Sequence, residues 1–455
     1  MSRQLFGTDG IRGVAGEFPL DRPTVSAFGM ALGEWVAAKA REEGIKEPAV
    51  VIGMDTRESS TWLAEQVAGG LASAKVNARF AGLTTTPAVA YLTRSEDFVA
   101  GVMISASHNP FQDNGLKVFD HSGYKLADEA ELRLEGRIFE LREREAVAAP
   151  LALEVDEGLD RRYLNYLAGT CGTRFEGMRI VLDCAHGAAS YLAPELFRHL
   201  GAEVIPVGCA PDGRNINDGV GALHTEHLRK QVLENGAHAG AAFDGDADRC
   251  MLVSSTGRLI DGDMVLLIMA KHLLATQRLN GHNGEPAVVA TVMSNLGLER
   301  ALRDYGIHLV RTAVGDKYVL EEMRRSGLPL GGEQSGHVIM SDYATTGDGL
   351  LTALRVLETA ALSGRSLDEL TAEFVSYPQL LKNVRFRVKR PLEELATVQA
   401  EINAARSELG DSGRVLVRFS GTEPLARVMV EGPDRGRVEH LVARIASAIS
   451  NELNA

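Results

Sequence analysis

The sequence predicts an α/β protein made of three similar mixed-sheet α/β domains and a smaller C-terminal α+β domain. Three observations carry that prediction. Short apolar, β-branched runs alternate with helical patterns, this alternation starts afresh three times, and the texture changes after Tyr377-Pro378. At roughly 150 residues per domain, a chain of 455 residues accommodates several separate cores.

The first repeat opens at Ala49-Val50-Val51-Ile52-Gly53-Met54-Asp55, passes a helical stretch from about Thr61 to Ala74 and reaches an apolar run at Phe98 to Ile104. The second begins at Arg179-Ile180-Val181-Leu182-Asp183. A helix near Ala188 to Leu200, a strand at Glu203 to Val207 and the run Ala239 to Phe243 follow, and acidic residues end it. The third begins at Ala287 to Val292, continues through a helix near Leu296 to Tyr305 and a strand at Ile307 to Arg311, and arrives at Gly331-Gly332-Glu333. The tail reads as a strand at Asn383 to Val388, a helix from about Leu392 to Leu409, strands at Arg414 to Arg418 and Arg427 to Glu431, and a helix from about Arg437 to Leu453. The charged stretch Glu140 to Glu145, the Ala149-Pro150-Leu151 segment and the turn Thr256-Gly257-Arg258 mark breaks. The expected domains are therefore 1–155, 156–257, 258–376 and 377–455.

Composition narrows the function classes. With 45% hydrophobic and 24% charged residues the chain is an ordinary globular one, not a disordered scaffold. A net charge of −13 has the wrong sign for wrapping nucleic acid or coating an anionic membrane, so an anionic ligand needs a local cationic cluster. Cys171, Cys184, Cys209 and Cys250 are too few and too scattered for a disulfide framework, and none forms a C-x-x-C pair. The N-terminal segment lacks the apolar core of a signal peptide, and the longest apolar run, Met264 to Ala270, is far short of a membrane span. A cytoplasmic protein without nucleic-acid or membrane partners is expected.

The sharpest local signal is Asp244-Gly245-Asp246-Ala247-Asp248-Arg249, directly after an apolar strand. Alternate carboxylates in extended backbone project to one side, and a bound cation relieves their repulsion. An all-oxygen set favours Mg²⁺, or Mn²⁺ or Ca²⁺, over zinc. An EF-hand loop is excluded because its Gly position is Arg249 and its closing Glu position is Ser255.

Ile104-Ser105-Ala106-Ser107-His108-Asn109-Pro110 follows another apolar strand, where α/β proteins carry their active loops. Ser107 beside His108 suggests a nucleophile, but neighbouring residues rarely give hydrolase geometry, and Ser105 and Asn109 stand where a Gly-x-Ser-x-Gly elbow needs glycine. A phosphorylated Ser107 facing the aspartates across a metal is more economical. The same residues also fit a capped turn.

Two further loops bind polar ligands on paper. In Gly331-Gly332-Glu333-Gln334-Ser335-Gly336-His337, Glu333 and Ser335 suit sugar hydroxyls and His337 suits proton exchange near neutral pH, although a surface turn fits as well. Arg418-Phe419-Ser420-Gly421-Thr422-Glu423-Pro424, with Arg427, forms an anion cradle fit for phosphate, or a capped turn with solvated arginines. Arg12, in Thr8-Asp9-Gly10-Ile11-Arg12-Gly13, with Lys117 and Arg249, can meet charge on a transferring phosphoryl group. Arg12 does not act as a base, because a guanidinium stays protonated; it orients Lys117 or the phosphate.

Taken together and in this order, these motifs resemble the α-D-phosphohexomutase family along nearly the whole chain. The resemblance implies four domains around a central cleft, with Ser107 as phosphoserine, Asp244, Asp246 and Asp248 holding Mg²⁺ together with the phosphoryl group on Ser107, Glu333 to His337 as the sugar loop, and Arg418 to Pro424 as the phosphate loop. Catalytic roles fall to Ser107, His108, Lys117, Arg12, Arg249 and His337. Substrate contacts fall to Glu333, Ser335, Arg418, Ser420, Gly421, Thr422 and Arg427. Phe6 to Gly13, Glu333 to His337 and Val428-Met429-Val430-Glu431-Gly432 look like the amino-sugar branch, since sister branches acting on mannose or glucose phosphates usually carry Met at the place of Gln334. That implies interconversion of glucosamine 6-phosphate and glucosamine 1-phosphate, with a sugar 1,6-bisphosphate as activator or intermediate, an activating phosphoryl donor or kinase, and a homodimer. Ala247, Lys317 and Ala426 depart from the commoner Gly, Arg and larger aliphatic. The alternatives are a sister mutase for mannose or glucose phosphates, a metal-dependent sugar phosphatase, and a non-catalytic sensor, the last disfavoured because Ser107 and all three aspartates are present.

Overall fold

The computed structural model describes residues 4–279, 281–282, 284–388, 390–420 and 424–453. It divides into two compact units, Met1–Val292 with Leu309–Thr371, and Met293–His308 with Ala372–Ala455.

The first unit holds three sheets. One runs, edge to edge, Phe6–Gly7, Gly10–Val14, Asp113–Asp120, Ala100–Ile104, Ala49–Met54, Asn77–Leu83. The last three strands are mutually parallel and the others antiparallel. The second runs Leu259–Ile260, Cys250–Ser254, Ala239–Phe243, Arg179–Asp183, Glu203–Val207, again with the last three parallel. The third runs Gly281–His282, Glu285–Thr291, Leu330–Gly332, Val338–Met340, with His308–Thr312 also pairing Glu285–Thr291.

The strands that read as unbroken apolar runs do so because both their faces are covered: Val50, Val51, Ile52, Val102 and Ile104 are wholly buried. Phe98 and Val99 precede the strand expected to include them, which starts at Ala100. The helix Arg22–Glu43 shows how caps set an element: Asp21 accepts from Thr24 N at 2.8 Å, Pro23 fits the first turn, and Gly44 ends it in the left-handed region. It crosses the helix Ser60–Ser73 at backbone contact, since a Cβ on Gly70 would lie 2.5 Å from the Gly29 carbonyl carbon.

One relation places the site. In each sheet one strand, at 100–104, 239–243 or 330–332, has a parallel neighbour on one side and on the other the antiparallel strand that follows it in the chain. The connections 105–112, 244–249 and 333–337 are thus equivalent loops at the carboxyl ends of parallel strands, where open α/β sheets bind ligands.

In the second unit, Leu425–Glu431 pairs antiparallel with Gln379–Arg385 on one side and Arg414–Phe419 on the other, covered by helices Ala396–Leu409 and Arg435–Leu453. The first of these strands lies four residues ahead of its expected start at Asn383, because its register follows its partner from Gln379↔Glu431 to Arg385↔Leu425. The helix expected from Leu392 is divided: Leu392–Glu394 is a 3-10 turn, and Leu395, at φ −90° and ψ 87°, breaks it from Ala396–Leu409. The helix Leu296–Arg303 belongs to this unit, where Leu296 N donates to Glu431 Oε1 at 2.8 Å and Arg300 Nη1 to Tyr377 Oη at 2.6 Å. No helix among the described residues is long and apolar enough to cross a membrane.

Candidate active site

The loops 105–112, 244–249 and 333–337 meet within the first unit. Ser107 sits at φ +53°, a left-handed conformation that costs a non-glycine residue about 1 kcal/mol, and is 1% exposed. Its Oγ donates to Asp244 Oδ2 at 2.6 Å, and its N–H donates to Ser105 Oγ at 2.9 Å. Adjacency did not keep His108 away, as its Nδ1 lies 3.3 Å from Ser107 Oγ. Burial, with Arg249 and Arg12 nearby, pushes the His108 pKa down to about 4, so the ring is neutral at neutral pH.

Asp244, Asp246 and Asp248 each offer a carboxylate oxygen, all within 4.8 Å of one another, and all three residues are buried. Burial and repulsion from Asp248 and Asp246 push Asp244 up to about 7. Burial acts the same way on Asp248, but Lys117 and His337 outweigh it and hold that carboxyl well below the usual range. Asp246 Oδ1 and Asp248 Oδ1 find no hydrogen-bond partner among the described residues. Buried carboxylate oxygens left without donors are costly, and a hard divalent cation is the group that satisfies them. The donor set fits one. Ala247 takes φ +56° with its own side chain in place of the commoner glycine, and its carbonyl accepts from Gly349 N at 2.9 Å.

Lys117 is fully buried and donates to Asp246 Oδ2 at 2.7 Å, with Asp9 Oδ2 at 3.0 Å and Asp248 Oδ2 at 3.7 Å. Burial disfavours its ammonium, yet Asp246, Asp9 and Asp248 outweigh that and raise its pKa above the ordinary lysine value. Arg12 pairs with Asp9 and so acts on Lys117 through that carboxylate. Asp9 also binds Lys125, whose Nζ reaches Asp316 Oδ2 at 2.5 Å. The Asp9 carboxyl is held well below its usual range because Lys117, Lys125 and Arg12 overcome its burial.

On the third loop, Glu333 Oε1 accepts from Gly315 N at 3.0 Å and Ser335 Oγ lies 3.4 Å from Glu333 Oε2. His337 has Nδ1 3.6 Å from Asp248 Oδ1, and Gly347 N–H donates to its Nε2 at 3.1 Å. That bond assigns the neutral ring's proton to Nδ1. Burial lowers the pKa of His337, but Asp248, Asp316 and Glu333 raise it by more. Gln334 turns away to donate to Asp261 Oδ2 at 3.2 Å. The cleft itself is lined by Asp9, Arg12, His108, Asp248, Arg249, Asp316, Glu333 and His337, among others.

In the second unit, Arg418 and Arg427 stand directly opposite on paired strands. Burial and the Arg427 charge both lower the Arg418 pKa. Two arginines facing each other can grip one anion between them, which suits the expected phosphate contact. Ser420 is buried beside them, with its N–H donating to Leu425 O at 2.7 Å. Gly421 and Thr422 lie outside the described residues.

Four family models match the chain: those described as Phosphoglucomutase/phosphomannomutase, alpha/beta/alpha domain I at residues 3–145, domain II at 161–257, domain III at 261–377, and the C-terminal domain at 381–448. The chain belongs to the phosphoglucomutase/phosphomannomutase family. A relative named phosphoglucosamine mutase, from Solibacter usitatus (strain Ellin6076), is 58% identical over 453 residues, covering 100% of both chains. A solved phosphoglucomutase/phosphomannomutase family protein from Burkholderia thailandensis aligns with TM-score 0.78 at 23% identity, covering 98% of this chain and 97% of that one. The N-acetylphosphoglucosamine mutase of Aspergillus fumigatus, in complex with GlcNAc-6P and magnesium, aligns with TM-score 0.67 at 18% identity, covering 100% and 96%. These two likenesses concern the fold.

Several residues of this phosphoglucomutase/phosphomannomutase site gave no sequence signal. Arg57 and Asn217 hold the Ser107 loop, Thr86 Oγ1 donates to Asp246 Oδ2, and Asp9 and Lys125 link Lys117 to Asp316. Asp9 stands three residues from Arg12 and was the nearest to being legible.

Proposed function

We propose that this chain interconverts glucosamine 6-phosphate and glucosamine 1-phosphate through a phosphorylated Ser107 and a 1,6-bisphosphate intermediate, feeding UDP-N-acetylglucosamine and cell-wall synthesis. The observation that carries the chemistry is the 2.6 Å bond from Ser107 Oγ to Asp244 in a buried triad of carboxylates. The name of the 58% identical relative supports the sugar.

Asp244, Asp246 and Asp248, with an oxygen on phosphorylated Ser107, would hold a divalent cation, Mg²⁺ by the hardness of the set, whose chemistry is to offset phosphoryl charge. The phosphoryl group passes from Ser107 to the free sugar hydroxyl: the P–O bond to Ser107 breaks, one to the sugar oxygen forms, and the hydroxyl proton leaves to a base. Lys117 and His337 are the candidates for the proton transfers. Against their burial, neighbouring carboxylates raise the pKa of both, which favours the proton-bearing form of each and makes each a weaker acid until the charge around it changes. Arg12 and Arg249 add positive charge at the cleft, while neutral His108 flanks Ser107. Glu333 and Ser335 take sugar hydroxyls. Arg418, Ser420, Gly421, Thr422 and Arg427 hold the phosphate that is not reacting. After the bisphosphate turns over, its other phosphoryl group returns to Ser107 by the reverse step.

This reading divides the chain at 1–155, 156–257, 258–376 and 377–455, supported by family-model matches ending at 145, 257, 377 and 448. A phosphoryl donor or kinase must first load Ser107, and a cytoplasmic homodimer completes the proposal; four free cysteines suit a reducing compartment.

The test is ³¹P NMR of purified protein with Mg²⁺ and a trace of sugar 1,6-bisphosphate, offered glucosamine, glucose and mannose phosphates in parallel. Exchange fastest for glucosamine supports the proposal. Faster exchange for glucose or mannose keeps the chemistry and replaces the sugar, and release of inorganic phosphate without isomerisation replaces mutase by phosphatase.

A further inference from the structure

We propose that Arg57 and Asn217 act as one clamp on the Ser107 loop, fixing the position from which Ser107 exchanges its phosphoryl group. The proposal rests on the reading of Ser107 as phosphoryl carrier.

Neither side chain is hydrogen-bonded to Ser107 Oγ; both act through backbone carbonyls, and Arg57 Nη1 donates also to Ser105 Oγ at 3.4 Å. Arg57 Nη2 donates to Ser107 O at 3.1 Å and to Asn109 O at 2.6 Å. Asn217 Nδ2 donates to the same two atoms, at 2.9 Å and 3.1 Å. A carbonyl oxygen offers two lone pairs, so this shared pair of donors saturates both carbonyls. The turn that carries Ser107 at φ +53° is therefore held on either side of His108.

Both donors are themselves fixed. Arg57 is buried and ion-paired with Asp55, whose Oδ1 also accepts from Arg57 N at 3.1 Å and Ser60 Oγ at 3.0 Å. Asn217 comes from the second α/β repeat, takes φ +60°, and donates its backbone N–H to Ala185 O at 2.9 Å. The two thus reach the loop from separate sheets. Gly245 leaves the space they need: a Cβ there would stand 2.5 Å from Ser107 O and 2.9 Å from Asn217 Nδ2. The metal loop, the serine loop and the clamp meet at that point, so the clamp also sets Ser107 against Asp244.

Misplacing a reacting atom by about 1 Å costs on the order of 100-fold in rate. Positioning residues of this kind should lower kcat and leave the substrate KM nearly alone.

Asn217→Gly is the decisive variant, because glycine takes positive φ freely and only the two amide bonds disappear. Asn217→Asp keeps the shape and places a carboxylate oxygen against both carbonyls. Arg57→Lys keeps the charge beside Asp55 and loses the fork. In the full-length protein, hydrogen exchange over residues 104–113 and steady-state turnover of glucosamine phosphates are measured together, with melting curves as the folding control. We expect Asn217→Gly to speed exchange in that segment and lower kcat about 10- to 100-fold, with KM within about twofold. Asn217→Asp should be worse than Asn217→Gly. The double variant Arg57→Lys/Asn217→Gly should lose less than the product of the single losses, since both act on one loop. Wild-type exchange in Asn217→Gly overturns the clamp, whether or not kcat falls. Faster exchange in a protein whose wild type turns over no hexose phosphate upholds the clamp and sinks the reading of Ser107 as carrier.

Discussion

Ser107 and Asp244 are 137 positions apart in the chain, yet the serine hydroxyl donates to the aspartate carboxylate at 2.6 Å. Two equivalent loops, each leaving the carboxyl end of a parallel strand, bring them together. On the proposed function this pairing joins the phosphoryl carrier to the cation site, and Lys117 lies against the neighbouring carboxylates Asp246 and Asp248.

Replacing Ser107 with Ala should abolish isomerisation, by about a thousandfold or more as for other covalent nucleophiles, and remove the phosphorylated species from the intact mass spectrum. Mg²⁺ binding by calorimetry should persist, because the aspartates remain. Near-normal turnover in Ser107→Ala would sink the phosphoserine mechanism.

Chelation should stop turnover, and Mg²⁺ should restore it. Asp246 Oδ2 accepts from Lys117 and Oδ1 is left for the cation, so Asp246→Asn should weaken Mg²⁺ affinity at least about tenfold while the fold survives. Titration calorimetry on the purified variant, with its circular dichroism spectrum, checks both halves.

The anion cradle separates binding from chemistry. On the proposed function Arg418 and Arg427, facing on paired strands, grip phosphate, so Arg418→Ala and Arg427→Ala should each raise the KM for sugar phosphate about tenfold or more. A raised KM with a nearly unchanged melting temperature is the expected pattern. A lowered melting temperature with unchanged KM would make the pair structural.

Asp160 gives a pH signature away from the cleft. Burial raises its pKa from 3.8 to about 6, Thr84 opposes this and Glu195 adds to it. The folded protein therefore keeps a proton there that the unfolded chain has released, and stability falls as pH rises from about 4 to 6, by up to about 3 kcal/mol. Asp160→Asn should match wild type at pH 4 and exceed it by up to that amount at pH 7. Denaturant midpoints at the two pH values decide it, and an equal gap at both would refute the assignment.

Much of this site is legible in the order of residues alone. The triplet Asp244, Asp246, Asp248 declares itself because closely spaced acids after a strand repel one another, although the backbone carrying them is a turn, with Ala247 N donating to Asp244 O at 3.0 Å, and not the expected extended segment. The loops at Ser107 and Glu333 stand out the same way, from a strand ending in polar, glycine-rich sequence. Arg57 is invisible there because its contacts to the serine loop lie about fifty residues away, and Asn217 because its partners are 110 and 108 positions distant. Gln334 marks the right loop, but its side chain is spent on Asp261.

The sequence by itself determined the element order, the repeated α/β texture and the four chemistry-bearing motifs, because periodicity, caps and turn residues act over a few positions. The tertiary structure alone decided which charges face each other. Lys117 is an ammonium gripped by Asp9, Asp246 and Asp248, His337 sits between Asp248 and Asp316, and Lys125 ties Asp9 to Asp316. Coulomb energy depends on distance and burial, and neither is a property of neighbours in the chain.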